Sequence, residues 1–97
     1  MKNITIVTGG NSGLGYSISK LLVKQGLNVC IIGRNKDSLM ETKKALSEIN
    51  SKVEVIFKKG TIADEKFVES IYKELMDTGY NVDCLFNNAG VGRIWSC

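Results

Sequence analysis

The segment Thr8-Gly9-Gly10-Asn11-Ser12-Gly13-Leu14-Gly15 has the residue types and spacing best suited to chemistry. It follows a β-branched run, Ile4 to Val7, and leads into residues with helical apolar spacing. At such a strand-turn-helix junction Gly9 permits a tight turn, Gly13 lets backbone approach a pyrophosphate, and Gly15 lets the helix pack closely on a sheet. Amide hydrogens at the helix start attract negative charge, so a phosphate-bearing dinucleotide is the expected ligand. A P-loop is excluded, because neither Gly13 nor Gly15 is followed by Lys-Ser/Thr.

The elements that must hold this turn follow from the rest of the chain. Apolar runs begin at Ile4, Val29, Val53 and Val82, at offsets of 25, 24 and 29 residues, a pitch that suits repeated βα units. The first, second and fourth runs are nearly continuous in apolar residues, as strands covered on both faces should be. The third alternates and suits a sheet edge. Between them, Leu14, Ile18, Leu21 and Leu22 define one helical face, Leu39, Thr42, Leu46 and Ile49 a second, and Val68, Ile71 and Leu75 a third. Gly26 and Gly79 stand where helices should stop, and Asp64 reads as an N-cap. Right-handed crossovers then predict an α/β fold: the N-terminal half of a doubly wound parallel sheet with strand order 3-2-1-4. No linker or repeat divides it, so residues 1–97 are expected to form a single domain, truncated after the fourth strand.

The chain's 97 residues carry 13 Lys+Arg against 10 Asp+Glu, and the lysines are scattered, which argues against nucleic-acid binding. No apolar run is long enough to cross a membrane. Histidine is absent, which removes the commonest metal ligand and the usual general base. Cys30, Cys84 and Cys97 show no metal or redox spacing and read as free thiols. Cys30 and Cys84 would flank the first strand roughly 9.6 Å apart, too far to bridge. Free thiols and the lack of a secretory signal pattern point to the cytoplasm.

Thr8-Gly9-x-x-x-Gly13-x-Gly15, joined by Asn87-Asn88-Ala89-Gly90 at the end of the fourth strand, resembles the short-chain dehydrogenase/reductase family over the chain up to Gly90. The resemblance implies a Rossmann fold that binds NAD or NADP, and a complete enzyme that is a homo-oligomer. It implies that Gly9, Asn11, Ser12, Gly13, Leu14 and Gly15 line the cofactor phosphates. It places Asn88 by the adenosine ribose, tying neighbouring strands together, and counts Ala89 and Gly90 among the cofactor-binding residues.

Cofactor choice turns on the end of the second strand. An NAD-selective site places an acidic residue on the ribose 2′-hydroxyl, but Ile32-Gly33-Arg34-Asn35 has none. The Arg34 guanidinium can meet a 2′-phosphate instead, so NADP is expected in preference to NAD. Ser12 stands where NADP-preferring members often carry a second base. In Gly60-Thr61-Ile62-Ala63-Asp64, Thr61 occupies a position commonly held by Asp. Its hydroxyl and the Ile62 backbone are the candidates to meet the adenine ring.

Hydride transfer in the family relies on a Ser and a Tyr-x-x-x-Lys well beyond the Asn-Asn-Ala-Gly strand. Tyr16-Ser17-Ile18-Ser19-Lys20 has that spacing but falls on the first helix, at its phosphate end, and is not expected to be catalytic. The tail from Val91 has no helical period and reads as an interrupted chain, which would leave Val82–Phe86 as an unpaired edge. Two readings follow: the cofactor-binding portion of an oxidoreductase, or a stand-alone, non-catalytic dinucleotide-binding or interaction module.

Overall fold

The computed structural model describes residues 2–9, 13–61, 64–87 and 94–96, with side chains for all but 87 and 94–96. The elements run β1 (Lys2–Thr8), α1 (Gly13–Lys24), β2 (Asn28–Gly33), α2 (Lys36–Ile49), β3 (Val55–Lys59), α3 (Glu65–Asp77), β4 (Tyr80–Asn87) and β5 (Ile94–Ser96). The strands form one sheet in the order β3-β2-β1-β4-β5. The first four are parallel in the expected 3-2-1-4 arrangement, and β5 is antiparallel to β4.

Two apolar layers cover the sheet. On one face Val7, Val29, Ile31 and Val55 pack with Val23 of α1 and with Leu39 and Leu46 of α2. On the other, Ile4, Ile6, Cys30 and Ile32 pack with Ile71 and Leu75 of α3 and with Tyr80. The alternation of β1 and β2 between these clusters is the period of two that a strand covered on both sides requires. The expected faces of α2 and α3 hold: Leu39, Thr42 and Leu46 are buried on one, Ile71 and Leu75 on the other. Gly26 and Gly79 follow α1 and α3 with φ of 85° and 93°, the left-handed region that favours glycine. Asp64 caps α3 as expected, accepting from the amides of Lys66 and Phe67.

The face of α1 is a correction. Gly15, Ser19 and Val23 are the buried residues, while Leu14 and Leu21 lie outward at 63% and 59% exposure. Small side chains at the contact let the helix sit close to the sheet, so close approach outweighs hydrophobicity in choosing the face. The buried Ser19 hydroxyl is satisfied by donating to the Gly15 carbonyl at 2.9 Å.

The β4 side departs from expectation in three ways. A register shift between Ile4↔Val82 and Thr5↔Cys84 leaves Asp83 as a bulged residue, beside which the Thr5 hydroxyl donates to Asp83 Oδ1 at 3.4 Å. The bulge resets the alternation, so Val82 and Leu85 both join the α3-side cluster. The expected unpaired edge is instead covered over Leu85–Asn87 by β5, because the chain after β4 turns back antiparallel and satisfies those ladder groups. Cys84 is disulfide-bonded rather than free; Cys30 is free and buried. The two lie on strands either side of β1, opposite Ile6 and Thr5, and sheet spacing keeps them from bridging each other.

Side-chain hydrogen bonds fasten the end of the sheet where β1 and β2 begin. Asn28 donates to the Asn3 carbonyl at 3.0 Å and accepts from the Glu54 amide at 2.8 Å, joining β1 and β2 to the approach to β3. Lys2 Nζ lies 2.7 Å from Glu54 Oε2 and holds that carboxyl below its ordinary range, with help from the Tyr80 hydroxyl.

Burial pushes the Cys30 thiol up to about 12, and burial with the neighbouring Glu54 carboxylate pushes the Tyr80 hydroxyl up to about 12. Both groups keep their protons in the folded chain, whereas an unfolded chain releases them near 9.0 and 10.0. Above pH 9 the unfolded state therefore binds fewer protons, and stability falls as pH rises toward 12. Urea midpoints should be level from pH 7 to 8 and decline steadily above pH 9; a midpoint unchanged at pH 11 contradicts this account.

Candidate functional site

Parallel register decides which loops share a neighbourhood. Thr8 lies opposite Ile32 on one side and Asn87 on the other, and Gly33 lies opposite Lys59. The carboxyl ends of β1 to β4 therefore align, and the segments that follow them emerge along one edge of the sheet. In open α/β sheets ligands bind in the crevice outside this edge. Gly9 stands there after β1, Arg34 after β2, Thr61 after β3, and the Asn88-Ala89-Gly90 segment follows Asn87.

Gly9 makes the turn off β1 with φ 65°, and its amide donates to the Ile32 carbonyl at 2.7 Å. A side chain here would be strained, which explains glycine at this position. The Gly60 amide extends the ladder in the same way, donating to the Gly33 carbonyl at 2.8 Å. A Cβ on Gly60 would run into the Phe67 ring, so glycine lets the first turn of α3 close over the β3–α3 loop that carries Thr61.

Gly13 is different. It begins α1, is exposed, has no positive φ, and a Cβ built on it meets no atom within 4 Å. No described contact demands glycine there. Open space over helix-start amides is the cradle a phosphate group needs, and only glycine leaves it clear. Gly13→Ala should therefore raise stability by a few tenths to about 1 kcal/mol, since it restricts the unfolded chain without a clash. Urea denaturation of the two proteins checks this; a clear loss of stability would show that the fold itself needs glycine at 13.

Of the other candidates, Gly15 is buried, and Leu14 is exposed beside Gly13. Arg34 is exposed and makes no hydrogen bond or ion pair among the described residues. It is followed by Asn35, whose side chain caps α2 by accepting from the Ser38 amide at 3.0 Å. Thr61 is half-buried. Asn11, Ser12, Ile62, Asn88, Ala89 and Gly90 lie outside the described residues. Tyr16 is half-buried against the α1/α2-side cluster, and Lys20, one helical turn further on, is exposed. Among the described residues no group of His, Cys, Asp and Glu could hold a metal ion, and no helix is long and apolar enough to cross a membrane. A shallow groove lined by Met40, Lys43, Lys44, Ser47 and Phe57 lies on the outer side of α2 and β3, away from the glycine turn.

This sheet, with its glycine turn at the β1–α1 junction, defines a Rossmann-type α/β protein. The chain belongs to the short chain dehydrogenase family, whose model matches residues 3–96. It is 33% identical over 91 residues to an uncharacterized oxidoreductase, DltE, of Bacillus subtilis, covering 94% of this chain and 34% of that one. It is 34% identical over 88 residues to the 3-oxoacyl-[acyl-carrier-protein] reductase FabG of Chlamydia trachomatis, covering 91% and 35%. Among solved structures it resembles L-sorbose reductase of Gluconobacter frateurii, determined with NADPH and L-sorbose, at a TM-score of 0.83 and 27% identity, covering 94% and 34%. The chain thus spans about a third of the length of the relatives it matches.

Proposed function

We propose that the chain is the cofactor-binding portion of an NAD(P)-dependent oxidoreductase that transfers hydride between NADP(H) and a carbonyl or alcohol. One observation carries this reading: the ends of β1 to β4 align, so that the glycine turn, Arg34 and Thr61 leave the sheet along a single edge. The open space at Gly13 supports the same ligand, because a pyrophosphate fits where a Cβ would otherwise stand. The relative solved with NADPH supports a nicotinamide dinucleotide as its chemical class.

In this reading residues 1–97 form one domain. The backbone of Gly9, Asn11, Ser12, Gly13 and Gly15 receives the pyrophosphate, with Leu14 beside it. Arg34 receives the 2′-phosphate, Thr61 and Ile62 meet the adenine, and Asn88, Ala89 and Gly90 border the ribose. The nicotinamide supplies the hydride when bound. The chain's own part is to orient the dinucleotide along the strand ends and to offer amide hydrogens to its phosphates. The complete enzyme is proposed to be a cytoplasmic homo-oligomer.

Fluorescence titration of the chain with NADPH and NADH tests the proposal. Saturable binding of both, tighter for NADPH and weakened in Gly13→Val, is expected. Equal affinities would reduce Arg34 to a solvated turn residue, and binding indifferent to Gly13→Val would remove the glycine turn from the site.

A further inference from the structure

Two consecutive lysines end β3, and the sheet separates them. Val55 and Phe57 pack with the α1/α2-side cluster, so by the period of two Lys59 projects on that face and Lys58 on the other. Lys58 is neutralised there: its Nζ lies 2.6 Å from Glu74 Oε1 on α3. Lys59 is exposed and makes no hydrogen bond or ion pair among the described residues.

Lys59 stands directly opposite Gly33, the residue before Arg34. Paired residues of adjacent strands sit about 4.8 Å apart, and consecutive Cα atoms about 3.8 Å, so the Cα atoms of Arg34 and Lys59 lie within about 9 Å. Both side chains are longer than half that gap. Gly33 has no side chain to stand between them, and the Gly60 amide bond to the Gly33 carbonyl pins the two strand ends together at 2.8 Å. Two cations on neighbouring strand ends, neither paired with a carboxylate among the described residues, repel each other at modest cost in water, and a doubly charged anion between them reverses that sign.

We propose that Lys59 is a second specificity-determining residue for the dinucleotide, acting with Arg34 on the 2′-phosphate. This rests on the proposed dinucleotide site. It assigns to the end of β3 the second base that Ser12 does not supply. The Arg34 fork gives directional hydrogen bonds, and the Lys59 ammonium adds a mobile point charge from the neighbouring strand.

The test is calorimetric titration of the 97-residue chain with 2′,5′-ADP and with 5′-AMP, which differ by the 2′-phosphate alone. Wild type, Lys59→Gln, Lys59→Arg and Arg34→Gln are compared, with circular dichroism confirming that each is folded. Lys59→Gln should weaken 2′,5′-ADP about fivefold, the effect of losing one exposed ion pair, and leave 5′-AMP unchanged. Lys59→Arg should retain the wild-type preference. If Arg34→Gln weakens 2′,5′-ADP and Lys59→Gln does not, the Lys59 assignment is overturned while the Arg34 reading stands. If Lys59→Gln weakens both probes equally, Lys59 acts on something other than the 2′-phosphate and the assignment also fails. If the wild-type chain does not distinguish the probes, the NADP reading falls and this inference with it.

Discussion

Replacing Gly33 by Asp together with Arg34 by Ala should invert the dinucleotide preference from NADPH to NADH. In the wild-type chain Arg34 offers charge-assisted hydrogen bonds worth about 1.5–3 kcal/mol to a 2′-phosphate, or roughly 10- to 150-fold in affinity. It has no competing partner among the described residues, so that interaction is made without breaking another. Gly33 ends β2 outside the positive-φ region, so an Asp fits its backbone. The new carboxylate would repel the 2′-phosphate and accept from a free ribose 2′-hydroxyl. It would also face Lys59 across the ladder and cancel that cation. Lys36 begins α2 and is exposed, so its screened charge contributes little. Titrating both dinucleotides on the double variant checks the inversion; a surviving NADPH preference would locate the selectivity elsewhere.

The second large effect is an absence of turnover. With NADPH and a ketone, the 97-residue chain alone should show no reduction above background. Hydride delivery leaves an alkoxide, and a positioned proton donor contributes about 10²- to 10⁴-fold to such a step. The one Tyr-x-x-x-Lys in these residues is Tyr16 to Lys20. Tyr16 packs against the α1/α2-side core and Lys20 is exposed on α1, and the pair is not expected to serve a substrate beyond the strand ends. Assays of NADPH consumption over a panel of ketones and aldehydes measure this. Turnover that disappears in Tyr16→Phe would contradict the dismissal of this pair.

What was legible in the sequence is what depends on local physics. The strand pitch, the glycine stops after α1 and α3 and the Asp64 cap each follow from a few neighbouring residues, and all stand in the structure. The buried face of α1 was not legible, because apolar spacing favours Leu14 and Leu21 where close packing selects Gly15 and Ser19. The bulge at Asp83 was hidden because a nearly continuous apolar run carries no period to interrupt. The onset of β3 at Val55 rather than Val53 has a similar origin: both residues are apolar, and only pairing with β2 marks where the strand begins. Strand β5 depends on a chain reversal that composition does not encode.

The candidate site divides along the same line. The glycine turn and Arg34 announce themselves by residue type next to a strand end. Lys59 does not, since one of two adjacent lysines is indistinguishable from the other until the ladder sets Gly33 opposite Lys59 and α3 sets Glu74 beside Lys58.

Whether the carboxyl edge of the parallel sheet receives the dinucleotide is tested by a map of backbone amide chemical shifts on adding NADPH to the isotope-labelled chain. Saturable shifts are expected at Gly9, Gly13 to Gly15, Gly33 to Arg34 and Gly60 to Thr61, with the Asn28 and Asn3 end of the sheet unmoved. Shifts centred instead on the Met40, Lys43, Lys44, Ser47 and Phe57 groove, or none at millimolar NADPH in a folded chain, would contradict it.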